Sequence, residues 1–319
     1  MRYRNTQGGL MKQYNHILVV IEPKRDHQTA LQRALELSRY NPKVKITALR
    51  LVYDFSYDIH ILNRLREKDT REDILKTHQE QLQGIIHKYT ENLDNQPQID
   101  TKVSFAKDIA EGIVSEMKEG NYDLVIKAAN HHGVLDALIF TPIDWYLLRH
   151  ADVPVIIAKE HKWADSGSIA VALDFSNRAR MNVNLTLLRE AQQVSAITGD
   201  PIHLINSAPV ALPTIMLEVP HYSPEIYAEN ILTEHRNRLH AFAKAHGIPL
   251  ENCHIAEGMP DDVIPDICRK INARVVFIGS AGRTGAMAAL MGNTCEEIVD
   301  YLEADLVVIN KKVLTKTEG

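Results

Sequence analysis

Short apolar runs alternate along this chain with longer segments whose apolar positions recur at helical spacing. The first half reads as strands at 16–21, 44–52, 99–105, 123–128 and 153–158. Helices near 28–40, 71–92, 109–118 and 142–150 fall between them. The second half repeats the order, with strands at 168–173, 202–207, 253–257, 274–279 and 304–310 and helices at 179–197, 225–246, 261–271 and 293–302. From Asn182 to Gly199, the apolar residues Val183, Leu187, Leu188, Ala191 and Val194 form one stripe, so this helix lays one face on a sheet. Alternating strands and helices with short, uncharged strands predict a parallel sheet covered on both faces, joined by right-handed crossovers.

The repetition is internal. Asp123 to Lys127 corresponds to Val275 to Gly279, an offset of 152 residues, and the same offset relates Val155–Ala158 to Val307–Asn310 and Gly133 to Gly285. The opening strands match with nearly the same shift. Two copies of one fold therefore occupy the chain, and a length of 319 residues suits two domains of about 150. A polar stretch ending in Ser and Gly, Lys159 to Ser168, separates them. The expected organisation is an N-terminal extension at 1–13, a first domain at 14–160 and a second at 168–312.

Candidate chemistry concentrates in the second copy. Val275-Val-Phe-Ile-Gly279 ends in a glycine, Gly282 follows three residues on, and Gly292-Asn293-Thr294 precedes the predicted last helix. Glycines at the carboxyl end of a buried strand let backbone N–H groups approach a ligand, and a helix N-terminus beyond adds unpaired donors. Together they read as a phosphate cradle. The Gly-Lys-Ser/Thr ending of a Walker loop and the tight Gly-x-Gly-x-x-Gly of a dinucleotide fold are both absent.

The spacing Gly-x2-Gly-x9-Gly-Asn, after a fourth buried strand and before a fifth, resembles that of the universal stress protein family. Asn293 stands where many members have Ser, and its amide still donates. The tandem arrangement, Tyr53–Asp58 and Phe140–Trp145 are similar to tandem-domain members of that family. The resemblance implies two open, five-stranded, Rossmann-like parallel sheets whose last strands pair antiparallel, making the chain an intramolecular pseudo-dimer. It further implies a stress-response module that binds ATP, accompanied by Mg²⁺, and acts by regulation or protection. The expected ligand-binding residues are Ala172, Asp174, Ser207, Gly258, Gly279, Gly282, Arg283, Gly292, Asn293 and Thr294. By resemblance Asp174 accepts from the adenine amine; the alternative, read from its position alone, is that it caps the helix or turn that follows. Arg283 reads either as a phosphate contact or as a solvated surface charge.

The first copy departs from the motif. Lys127, Asn130 and Phe140 replace Gly279, Gly282 and Gly292, and Glu22 stands near the counterpart of Asp174. These side chains fill space that a phosphate needs, so nucleotide is expected in the second domain alone. His131 and His132 lie in the degenerate loop with His150 nearby, a low-ranking candidate for a metal site in a chain of 15 histidines. Apolar insertions at Phe55–Leu62 and Ile215–Val219 cover a core or an interface, or line an apolar pocket.

Composition narrows the classes. A net charge of -5 offers no basic field for nucleic acid, and no segment has the roughly 18 consecutive apolar residues of a membrane span. The three cysteines, Cys253, Cys268 and Cys295, have no paired metal-ligand spacing and suit a reducing cytoplasm. The N-terminus has no signal-peptide core, and Met11 is an alternative start. No nucleophile–base set, paired catalytic carboxylates or Walker lysine accompanies the proposed phosphate site. Slow ATP hydrolysis or autophosphorylation, and a nucleotide-free scaffold whose first domain binds another ligand, are the alternatives. Protein partners go unidentified, and further association into a homodimer of tandem chains is compatible with the sequence.

Overall fold

The computed structural model describes residues 14–23, 25–54, 67–131, 138–139, 141–161, 163, 166–176, 178, 180–208, 224–279, 301–310 and 312–313. They fall into two compact units divided just before Trp163.

The first unit contains β1 (His16–Val20), α1 (Thr29–Ser38), β2 (Lys45–Tyr53), α2 (Glu67–Thr90) and β3 (Gln98–Ala106). It continues with α3 (Ile109–Glu119), β4 (Leu124–Ala128), a two-residue ladder of β5 (Asn130–His131) against β6 (Leu138–Ile139), α4 (Pro142–His150) and β7 (Val155–Ala158). Its main sheet is parallel, in the order β3-β2-β1-β4-β7. Every residue of β4 and β7 is buried, which is why those runs carry so little polarity. Adjacent β2 residues show that helices cover both faces: Arg50 reaches Gln81 of α2, whereas Leu51 packs on Gly112 of α3.

The helix ends are encoded locally. Asp108 caps α3 by accepting from the Glu111 N–H at 3.0 Å. Thr141 and Asp144 close a reciprocal capping box at α4, with Pro142 in its first turn.

The second unit repeats the plan with β8 (Ser168–Ala172), α5 (Arg180–Thr198), β9 (Ile202–Ala208), α6 (Pro224–Ala245), β10 (Cys253–Glu257), α7 (Pro260–Lys270), β11 (Ala273–Gly279) and β12 (Asp305–Ile309). Its parallel order is β10-β9-β8-β11-β12, the same as in the first unit. Val183, Leu187, Leu188, Ala191 and Val194 are all buried, as the stripe on α5 predicts. In each unit chain order reverses beside the first strand, leaving a crevice beyond the carboxyl ends of β1 and β4, and of β8 and β11.

Predicted and observed elements agree to within about two residues at their ends, the usual fraying distance, except that α2 begins at Glu67, four residues before the predicted 71. Residues 55–62, 215–219 and nearly all of the predicted helix at 293–302 lie outside the described residues. Among the described residues, no helix is long and apolar enough to cross a membrane.

Candidate functional site

Asp174 follows directly on the residue that makes the last backbone bond of β8, Leu173 N–H to Ile205 O at 2.8 Å. Three polar side chains hold the backbone here. Asn184 of α5, 1% exposed, bonds both sides of Asp174: its Oδ1 accepts from the Asp174 N–H at 3.1 Å and its Nδ2 donates to the Asp174 carbonyl at 2.9 Å. Asn206 of β9 donates through Nδ2 to the Leu173 carbonyl at 2.8 Å. Arg238 of α6 donates to the Phe175 carbonyl at 2.9 Å, and Phe175 packs edge-on against Phe242.

The Asp174 side chain, 52% exposed, serves the turn first. Its Oδ1 accepts from the Ser176 N–H at 2.8 Å, and its Oδ2 lies 3.1 Å from Arg180 Nε. The capping role open from the sequence is therefore present. A carboxylate has about four lone-pair sites, so these bonds leave acceptors directed at solvent.

His235 of α6 completes the chain of contacts at 2.6 Å, Nδ1 to Asn206 Oδ1. Because Asn206 Nδ2 donates to Leu173, its Oδ1 must accept, and the proton sits on His235 Nδ1. Burial, reinforced by the Arg238 charge, pushes the imidazole below its ordinary pKa. The neutral ring then keeps a lone pair on Nε2.

The other expected residues are distributed around these strand ends. Ala172 is half-buried beside Ile205, and Ser207 is half-buried beside Ala256. Gly258 makes the turn into α7 at φ 146°, where an L side chain is strained, and its N–H is already donated to Ala208 O at 3.0 Å. Asp261 and Asp262 in the first turn of α7 make that helix end unattractive to an anion. Gly279 ends β11, and a Cβ there would lie 2.5 Å from Val183 Cγ1. The room left by its missing side chain is filled by α5. Gly282, Arg283, Gly292, Asn293 and Thr294 lie outside the described residues.

The equivalent crevice of the first domain is filled by charge. Glu22 follows the Ile21 N–H to Leu49 O bond, as Asp174 follows Leu173. Lys127, its side chain 3% exposed, places Nζ 2.7 Å from Glu22 Oε1, 2.8 Å from Asp144 Oδ1 and 3.0 Å from the Ala128 carbonyl. Asp144, fully buried, is the capping-box residue of α4. Arg25 pairs with Glu22 at 2.8 Å, lies 3.7 Å from Glu160 and donates to the Ala129 carbonyl. A buried cation between two carboxylates thus stands where the second domain has Gly279.

Residues 13–159 and 167–310 each match the sequence pattern of the universal stress protein family. The chain belongs to the universal stress protein family. It is 35% identical over 305 residues to the universal stress protein E of Photorhabdus laumondii, covering 94% of this chain and 96% of that protein. It is 34% identical over 311 residues to the universal stress protein E of Escherichia coli K12, covering 94% and 95%. A putative universal stress protein from Pseudomonas aeruginosa has the same fold at TM-score 0.68 and 24% identity, with 97% and 98% of the two chains covered. One from Archaeoglobus fulgidus superposes at TM-score 0.63 and 18% identity, covering 93% and 97%. Both universal stress domains thus extend over nearly the whole chain, as the repeat predicts.

Asn184, Asn206, Arg180, Arg238 and His235 were not singled out from the sequence. A signal existed for Asn206, an amide inside the otherwise buried end of β9. His235 gave none, being one of several polar residues on a long helix. Among the described residues no group of three or more His, Cys, Asp and Glu is arranged to hold a metal; His132 and the side chain of His131 lie outside them. Cys268 is buried, its thiol pushed up to about 12 by burial, and Cys253 up to about 11, so neither is a reactive thiolate.

Proposed function

We propose that the second domain binds ATP or a related adenine nucleotide, accompanied by Mg²⁺, and that the chain acts as a regulatory or protective module in the stress response. The observation that carries this reading is the contrast between the two crevices. In the first, the cations Lys127 and Arg25 and the carboxylates Glu22 and Asp144 occupy the switch point as a mutually neutralising cluster. In the second, the corresponding residue is Gly279, and Asp174 projects from a strand end braced by Asn184 and Asn206.

Asp174 accepts from the exocyclic amine of adenine with the lone pairs that Ser176 and Arg180 leave free. A hydrogen bond to a charged acceptor contributes about 1.5–3 kcal/mol and selects against a base lacking that amine. The phosphates belong to the glycine-rich segment Gly282 to Thr294, with Arg283 as a further cation. When bound, Mg²⁺ would neutralise phosphate oxygens and be held chiefly by them and by water.

Isothermal titration of ATP and AMP, with Mg²⁺, into nucleotide-stripped protein tests the reading. The expected result is one site per chain, lost in Gly282→Val and weakened in Asp174→Ala. Two sites would refute the silent first domain. No binding would remove the nucleotide and favour a scaffold acting through protein partners.

A further inference from the structure

The first domain contains a buried cation that no carboxylate of the described residues pairs with. Arg50 lies on β2, facing α2, and is 3% exposed. Among the described residues it makes one side-chain bond, Nη1 to Gln81 Oε1 at 3.2 Å, and forms no ion pair. Its Nε is buried without a partner. Opposite, on α2, the Nδ1 of His78 is also buried without a partner. The two groups feel each other: burial, then the Arg50 charge, lowers the His78 pKa.

Other charged positions in the first domain are handled differently. Lys127 sits between two carboxylates, Arg33 pairs with Glu36, and Arg71 pairs with Asp54 at 2.8 Å beneath its stacking on Phe105. The second domain settles the same strand-and-helix position without charge. Leu49 and Ile205 accept equivalent backbone bonds, so Asn206 is the counterpart of Arg50, and it is satisfied by Leu173 O and His235. Arg50 thus brings a guanidinium to a place where the described residues of its own domain supply no anion. Burying an uncompensated charge is among the costliest arrangements in a protein, and an anionic ligand removes that cost.

We propose that Arg50, His78 and Gln81 form an oxyanion-binding site in the first domain, separate from the nucleotide site of the second, whose ligand is free phosphate. The guanidinium supplies planar donors through Nε and the Nη groups, suited to tetrahedral oxyanions. Gln81 accepts from Arg50 through Oε1, which leaves its Nε2 as a donor. His78 adds an N–H at Nδ1 once that nitrogen carries the proton. An anion here offsets the Arg50 field, so bound phosphate raises the His78 pKa, and protonating His78 tightens phosphate by the same factor.

The test uses the full chain with histidine ring nitrogens labelled, titrated with inorganic phosphate against chloride at matched ionic strength. Phosphate should shift the His78 ring signals saturably and raise the pH at which they titrate, whereas chloride should do neither. Arg50→Met should abolish the response and remove the phosphate-dependent rise in thermal midpoint. Gln81→Leu, on an exposed helix surface, should weaken the response severalfold and serves if Arg50→Met fails to fold. Gly282→Val, in the other domain, should leave it intact. An absent or non-saturable shift at His78, an equal effect of chloride, or an unchanged response in Arg50→Met or Gln81→Leu would each overturn the site. Because the His78 signal reports on the first domain, its failure is distinguishable from failure of nucleotide binding in the second.

Discussion

Replacing Gly279 with alanine separates two explanations of the glycine that ends β11. A Cβ built there meets Val183 Cγ1 at 2.5 Å, far inside the roughly 3.5–4 Å at which carbon atoms pack favourably. Val183 is buried on α5, and a β-branched side chain in a helix has one strongly preferred rotamer, so it cannot swing away. The added methyl must therefore push the helix or strain the strand, at the about 1–3 kcal/mol typical of overpacking. In a domain of this size each kilocalorie lowers the midpoint by about 2–4 °C. Trp163 reports on the second domain, where its Nε1 donates to Asp305 Oδ2 at 3.1 Å, and Trp145→Phe removes the other tryptophan. Urea unfolding followed by Trp163 fluorescence in that background is the assay.

The decisive measurement is the double-mutant cycle with Val183→Ala. Val183→Ala alone costs about 1.6 kcal/mol for two buried methyl groups at about 0.8 kcal/mol each. In the double variant the new alanine Cβ meets no Cγ, so part of each loss is recovered, with a coupling of about 1–2 kcal/mol. Additivity to within about 0.3–0.5 kcal/mol would refute the packing argument. If Gly279→Ala kept full stability and weakened ATP alone, the glycine would serve the ligand instead of the helix.

The first domain's charge cluster gives a second expectation. Lys127→Met removes the cation shared by Glu22, which keeps Arg25, and the fully buried Asp144, and should cost about 3–5 kcal/mol in denaturant unfolding; Lys127→Met with Asp144→Asn should recover part of it. In the second domain, His203 Nδ1 and His254 Nε2 stand 2.8 Å apart across β9 and β10, and burial lowers both pKa values. Groups whose folded pKa lies below the unfolded value of about 6.5 favour folding above that pH, and the stability is lost as pH falls through the folded pKa. Acid unfolding of the second domain should thus show a descent below pH 6.5 that His203→Gln reduces, and an unchanged profile would sink the assignment. Asn184→Ala breaks two bonds to the Asp174 backbone and should destabilise by about 1–3 kcal/mol while weakening ATP, measured by urea unfolding and titration calorimetry.

The strand and helix order, the duplication and the burial of α5 through Val183 and Leu187 could be read from the chain alone. Each rests on a periodicity of one element, and hydrophobic burial enforces that periodicity wherever the element sits. The asymmetry between the copies was also legible, because Lys127 for Gly279 and Glu22 near Asp174 are differences of residue type at matched positions. Tertiary structure decided what those residues do. Lys127 meets Asp144 because the N-terminus of α4 is brought to the end of β4, and no spacing along the chain announces that. Gly279 meets Val183 because α5 packs over β11, and the backbone from Leu173 to Phe175 is held by Asn184, Asn206 and Arg238 from three different elements. Arg50 is one charge among others in β2 until the fold buries it against α2, away from the carboxylates of the described residues. Local pattern determines which backbone forms, whereas the energy of a charge or a missing side chain depends on neighbours that only the folded chain brings within a few ångströms.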